Sequence, residues 1–291
     1  MEKTALAIGA LDGRLAGHPL REAWNCRRRI SATITAAAAV GVKVDRDRLV
    51  RLLVGLPVTR WKDFGAESTA LGIFATISDP RQSEGGPSPL DWLRDRLEQR
   101  SLAGACRAHV AAVEDGLPLS SAFAAFPALL VEIGVTENPL IGVAPTGFRN
   151  MATEITEAAL LGRRNLDTLT LNWSRWTRLL GPRRSTSRHL HVLTIAAAMT
   201  AASPAAIARL IGMTSRGAAM LLEEMTRLGI FREASGRETW QVYVLEDMPG
   251  ADPTPAPPPG PPALVSDIDL SALFAELDRA GAAVAQSLAG S

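Results

Sequence analysis

SRHLHVLTIAAAMTAASPAAIARLIGMTSRGAAMLLEEMTRLGIFREASGRETWQVYVL, residues 187–245, is the stretch on which the fold turns. Its first apolar run, His189 to Met199, predicts a buried helix. Ser203-Pro204 predicts the start of a second. Serine can accept a bond from a free helical amide, and the first helical position does not need the N–H that proline lacks. Ile207, Leu210 and Ile211 form the apolar stripe of that helix, and Gly212 can close it in the left-handed conformation. Thr214 or Ser215 then caps a third helix, with Ala218, Leu221, Leu222, Met225 and Leu228 facing inward and Gly229 at its end. Two helices joined by so few residues must cross steeply. That is the helix-turn-helix arrangement, whose second helix can enter a major groove. Phe231 to Glu233 and Thr239 to Leu245 read as two short strands around Ala234-Ser235-Gly236-Arg237. Helix, helix-turn-helix and β-hairpin wing in this order predict a winged helix over residues 187–247.

The residues expected to be exposed at the start of the third helix are Thr214, Ser215, Arg216, Ala219, Met220 and Glu223. Arg216 suits a guanine edge or a phosphate, and the hydroxyls of Thr214 and Ser215 suit phosphate. Glu223 can accept from a cytosine amino group or stand solvated. Residues 163–188 hold seven arginines against Asp167 alone. Of these, Arg183, Arg184 and Arg188 are candidate contacts to a nucleic-acid backbone, as is Arg237 at the tip of the expected wing, because cations that neutralise phosphates release counterions. Trp173 and Trp176 lie among them and read as core residues rather than base-stacking platforms. Winged helices dock proteins as well as double-stranded DNA, so both partner classes remain open.

Upstream, the chain reads as helical to about residue 160. Pro19 to Val40 is alanine-rich with few breakers. Asp45 can cap a helix carrying Leu49, Leu52 and Leu53. Ser88-Pro89-Leu90-Asp91 has serine at the cap, proline at the first position and an acid at the third. The helix it starts is expected to run through Trp92, Leu93, Leu97 and Leu102 towards Gly116. Asp79 to Ser88 reads as a loop.

Downstream, eight of the fourteen residues from Pro249 to Pro262 are proline. They predict an extended spacer. Beyond it, Leu270, Leu273, Phe274, Leu277, Val284 and Leu288 share one helical face, interrupted by Gly281. A helix this short needs something to dock on, either its own chain or a second subunit. The predicted organisation is mainly α. It comprises a helical domain over 1–160, an arginine-rich connecting helix over 161–186 and the winged helix over 187–247. A Pro-rich linker over 248–265 and an amphipathic helix over 266–291 follow.

The 291 residues carry a formal net charge of +1, with 47% apolar and 21% charged residues. That length supports a sizeable core, and the apolar fraction excludes a chain disordered throughout. The neutral total hides four blocks. Residues 1–60 hold 11 Lys+Arg against 5 Asp+Glu, and residues 61–162 hold 7 against 13. Residues 163–245 hold 12 against 5, and residues 246–291 hold 1 against 7. Such asymmetry marks either a polyanion partner with an acidic tail or clustered, solvated faces. The acidic tail is also placed to fold back and compete with DNA for the arginines. No apolar run approaches the ~18 residues of a membrane span. Cys26 and Cys106 have no motif spacing, which fits free thiols in a reducing cytoplasm.

ALDGRLAGHPLREAWNCRRR, residues 10–29, and SPAAIARLIGMTSRGAAMLLEEMTRLGI, residues 203–230, resemble the two ends of a bacterial, often plasmid-encoded family. Its members join an N-terminal domain of unassigned function to a C-terminal helix-turn-helix DNA-binding domain. The resemblance implies a transcriptional regulator and brings no catalytic residues. The winged-helix segment also resembles the C-terminus of Fic-type nucleotidyl transferases. Their His-Pro-Phe…Gly-Asn-Gly-Arg motif is absent: His18-Pro19-Leu20 lacks the phenylalanine and the glycine-rich loop. Neither metal-ligand spacing nor a phosphate-cradling loop nor a nucleophile elbow occurs, so no cofactor and no enzyme activity are expected. His189 and His191 would diverge on a helix. Arg27, Arg28 and Arg29 stand out, either for an acidic ligand or DNA, or as cations that snorkel or pair with acids such as Glu22.

Overall fold

The computed structural model describes residues 2–53, 64–81, 86–138, 151–184, 187–234 and 241–246. The expected linker over 248–265, the amphipathic helix over 266–291 and the wing-tip Arg237 lie outside the described residues.

Within them the chain is mainly helical, with eleven helices and a small antiparallel sheet. The helices are α1 (Glu2–Leu15), α2 (Arg21–Ala39), α3 (Arg46–Leu53), α4 (Phe64–Ser78), α5 (Pro89–Asp95) and α6 (Leu102–Glu114). They continue as α7 (Leu119–Glu132), α8 (Met151–Leu180), α9 (His189–Met199), α10 (Pro204–Ile211) and α11 (Ser215–Arg227). The strands are β1 (Ala201–Ala202), β2 (Phe231–Glu233) and β3 (Tyr243–Leu245), in the order β1-β3-β2.

The caps expected from sequence sit where the residues put them. The Arg48 N–H donates to the Asp45 side chain at 2.9 Å ahead of α3. Ser88 and Asp91 form a full capping box at the start of α5. The helix that Ser88 starts does not, however, run to Gly116. It stops at Asp95, and α6 begins afresh after Ser101, whose hydroxyl accepts from the Gly104 N–H at 3.1 Å. Glycine permits this turn: a Cβ at position 104 would strike the Gln99 carbonyl oxygen.

Helix α2 lies at the centre. It packs against α3, α4, α7, α8 and α9, while α1 lies along α8. Trp24 on α2 is buried, and its indole N–H donates to the Gly162 carbonyl of α8 at 2.8 Å. Position 162 is tight, because a Cβ would sit 3.1 Å from side-chain atoms of both Leu11 and Trp24. The arginine-rich connecting helix expected over 161–186 forms the later part of α8, a 30-residue helix that begins at Met151 and stops before Gly181 in the left-handed region. Trp173 and Trp176 are buried on its inner side, as core packing requires.

The N-terminal motifs are used structurally. Asp12 accepts from the Thr136 hydroxyl and the Asn138 amide, both at 2.8 Å, and from the Glu137 N–H at 3.1 Å. Arg14 pairs with Asp167 of α8. Arg28 is buried with its guanidinium over Trp24, and Arg27 donates to the Ala197 carbonyl of α9 and lies over Trp176. One cluster of buried apolar side chains runs unbroken from Ile8 on α1 to Leu245 on β3.

Candidate nucleic-acid interface

The region built around α9, α10 and α11 follows its sequence closely. The Ser203 hydroxyl accepts from the Ala206 N–H at 3.2 Å and starts α10 with Pro204 at its first position. Gly212 ends α10 at φ +68°. Thr214, rather than Ser215, caps α11, accepting from the Gly217 N–H at 3.1 Å. The chain bends by 115° between α10 and α11. Ala218, Leu222 and Met225 are buried, and Leu221 and Leu228 pack against the same core.

The sheet is larger than a hairpin. Phe231 pairs with Leu245 and Glu233 with Tyr243. Ala201 and Ala202 then add β1 on the other side of β3. Two alanines carry no alternation, so the sequence held no signal for that strand. Gln241 and Val242 precede β3 without joining it as strand, although the Val242 carbonyl accepts from the Ala234 N–H at 2.8 Å.

Burying one side of α11 turns the other to solvent. Thr214, Ser215, Arg216, Met220 and Glu223 are all exposed. Ala219 is only half-exposed. Met220 is 62% exposed, an unusual position for a long apolar side chain. Arg227 is exposed as well, and it extends the stripe Arg216, Met220, Glu223 by one further turn. The four-residue spacing from Glu223 is the signal in the sequence that marks Arg227. Arg216 and Arg227 against Glu223 and Glu224 leave α11 with no net charge. Any attraction for a polyanion must therefore come from its flanks.

The flanking arginines divide into two kinds. Arg184 is exposed. Arg183 donates from Nε to the Leu180 carbonyl at 3.1 Å, and its Nη2 lies 2.9 Å from Glu224 Oε1 on α11. Arg188 reaches the Ile211 carbonyl at the end of α10, at 3.5 Å. Arg183 and Arg188 thus tie the 181–188 connection to α8, α10 and α11 while staying at the surface.

His189 completes this tie. Its Nε2 lies 3.0 Å from Glu224 Oε2, and its Nδ1 lies 2.6 Å from the Ser187 hydroxyl. The bond from His189, then the charges of His189 and Arg183, hold the Glu224 carboxyl below the usual carboxylate range. An ionised carboxylate only accepts, so the His189 nitrogen facing Glu224, Nε2, is the one that carries a proton. His191 points elsewhere on α9. No group of three or more His, Cys, Asp or Glu side chains could hold a metal ion among the described residues. Nor is any single described helix long and apolar enough to cross a membrane.

The structure therefore leaves Arg216, Met220 and Glu223 exposed on one face of α11 and Thr214 and Ser215 exposed at its N-terminus, with Arg183, Arg184 and Arg188 in the connection that leads into α9. In comparisons with known proteins, the chain matches no family model and no curated sequence.

Proposed function

We propose that residues 187–247 form a winged helix-turn-helix that binds double-stranded DNA, and that the protein is a transcriptional regulator. The observation that carries this reading is α11. It follows a 115° bend, its inner side is buried, its N-terminus is capped and solvent-facing, and it presents Arg216, Met220 and Glu223 outward. In the proposed complex α11 lies in the major groove. Arg216 meets a guanine edge, Met220 a thymine methyl, and Glu223 a cytosine amino group. Thr214 Oγ1 already accepts from Gly217, so its hydroxyl proton is available to a phosphate oxygen at the positive end of the helix. Arg184, Arg188 and Arg237 serve the backbone. Arg183 is held against Glu224 and contributes less.

The test is a duplex titration across salt concentrations with full-length protein. Binding should weaken steeply with salt, and Arg184→Ala should lower the slope of log K against log salt by about 1. Arg216→Ala should cost about 1–3 kcal/mol on a preferred sequence and less on random DNA. Glu224→Gln, which releases Arg183, should tighten binding at low salt. Absence of binding at low salt, or an Arg216→Ala/Arg237→Ala protein that binds like wild type, overturns the reading. A second reading, a protein partner docked on α11, is favoured by the exposure of Met220 alone. It predicts that Met220→Glu abolishes partner capture while salt has little effect.

A further inference from the structure

Helix α8 carries a second unusual surface. Its inner side is buried against α1 and the core, yet four leucines on its outer side remain well exposed: Leu160 (38%), Leu161 (43%), Leu171 (44%) and Leu179 (39%). Their spacing sets them in two neighbouring rows. Leu160 and Leu171 are eleven residues apart, about three turns, and Leu161 and Leu179 are eighteen apart, about five turns. Arg164, Arg175 and Arg178 fall along the same outer side. The one acid among residues 163–188, Asp167, is engaged by Arg14. The result is an apolar band about 28 Å long, interrupted by Arg164 and Thr168, with the exposed Glu157 at its N-terminal end and an excess of arginine over the rest.

We propose that this stripe is the docking surface of the protein's own C-terminal segment, residues 266–291. Three observations select that occupant. The first is position. The last described residue before the spacer, Glu246, is already fixed to α8: its carbonyl accepts from Arg175 Nη1 and from the Trp176 indole, each at 3.2 Å. The chain therefore leaves the described fold beside the stripe. The second is charge. Residues 247–291 hold six acids and one arginine, and Asp267, Asp269, Glu276 and Asp278 surround the apolar set Leu270, Leu273, Phe274 and Leu277. An acidic amphipathic face thus meets a basic apolar one. The third is reach. An extended spacer over residues 248–265 covers about 55 Å, and a helix over residues 266–291 would be about 39 Å long, enough to overlie the stripe in either direction.

A second copy of α8 fits worse, because stripe on stripe sets arginine against arginine. A tethered segment also has an effective concentration in the millimolar range, which a free partner must exceed. The proposal does not depend on DNA binding. It concerns a face on α8, and its test contains no nucleic acid.

The experiment is hydroxyl-radical footprinting of the full-length protein, read at individual leucines. In wild type, Leu171 and Leu179 should react slowly. In Leu273→Glu/Phe274→Glu their rates should rise severalfold, while the buried Leu166 and Leu169 stay unchanged as internal controls. The reciprocal variant, Leu171→Glu/Leu179→Glu, should release the tail and accelerate chymotryptic cleavage after Phe274. Equal leucine rates in wild type and the tail variant overturn the proposal. So does protection that disappears on dilution, which would assign the cover to a second copy.

Discussion

His109 is buried at 2% exposure on α6, stacked on Phe123 at 5.4 Å and edge-on to Phe126 at 5.2 Å between ring centroids. Burial pulls its imidazole down to about 4, so the folded protein holds it neutral where the unfolded chain, at 6.5, takes up a proton. The unfolded state therefore binds more protons between these values. Stability contributed by the neutral ring is complete above pH 6.5 and is lost as pH falls towards 4, by roughly 3 kcal/mol in all. His18 is pulled down too, by burial first and then by Arg14, and acts in the same direction. Denaturant titrations from pH 7 to 4.5 should show this loss. His109→Leu should flatten it, and an unchanged slope in that variant would exclude His109 as its source.

At the level of elements, Gly104 shows how a connection is fixed by one missing carbon. The Gln99 carbonyl occupies the space of a Cβ at that position, so Gly104→Ala must displace backbone at the α5–α6 junction. A loss of about 1–3 kcal/mol is expected, seen as a lower thermal midpoint, whereas Gly72→Ala, with open space around it, should be neutral or better. The same junction marks where sequence patterns run short. Starts and stops at Asp45, Ser88, Ser203, Thr214 and Gly212 were legible because each depends on a residue and its own near neighbours. The break after Asp95 was not, because residues 96–103 hold no proline or glycine to stop a helix, and the clash that forbids a Cβ at position 104 exists only once the chain has turned at Gln99. Strand β1 was invisible for a different reason: Ala201 and Ala202 are strand only because β3, some forty residues on, lies beside them. At the interface, the exposed face of α11 followed from periodicity. The convergence of His189 and Arg183 on Glu224 did not, since those partners lie 35 or more positions from it.

Across the whole molecule, the charge blocks and the core follow different boundaries. Net charge changes sign near residue 162, yet the apolar cluster passes that point, through Ala159 and Leu166 and on to Val192 and Leu193. Helix α2 meets α9 directly, with Arg27 bonded to Ala197 and Cys26 Sγ 3.8 Å from Met199 Sδ. Parts that share a core unfold together. Helical circular dichroism and tryptophan fluorescence should therefore report a single coincident transition in urea, and two separated midpoints would contradict a continuous core. That core also encloses both thiols of the protein, Cys26 and Cys106, and burial pushes the Cys106 thiol up to about 11. Burial shields both from a maleimide or a spin label. A single cysteine introduced on α11 or on the outer side of α8 would be the only reactive one, which makes the natural sequence a ready host for site-specific distance probes.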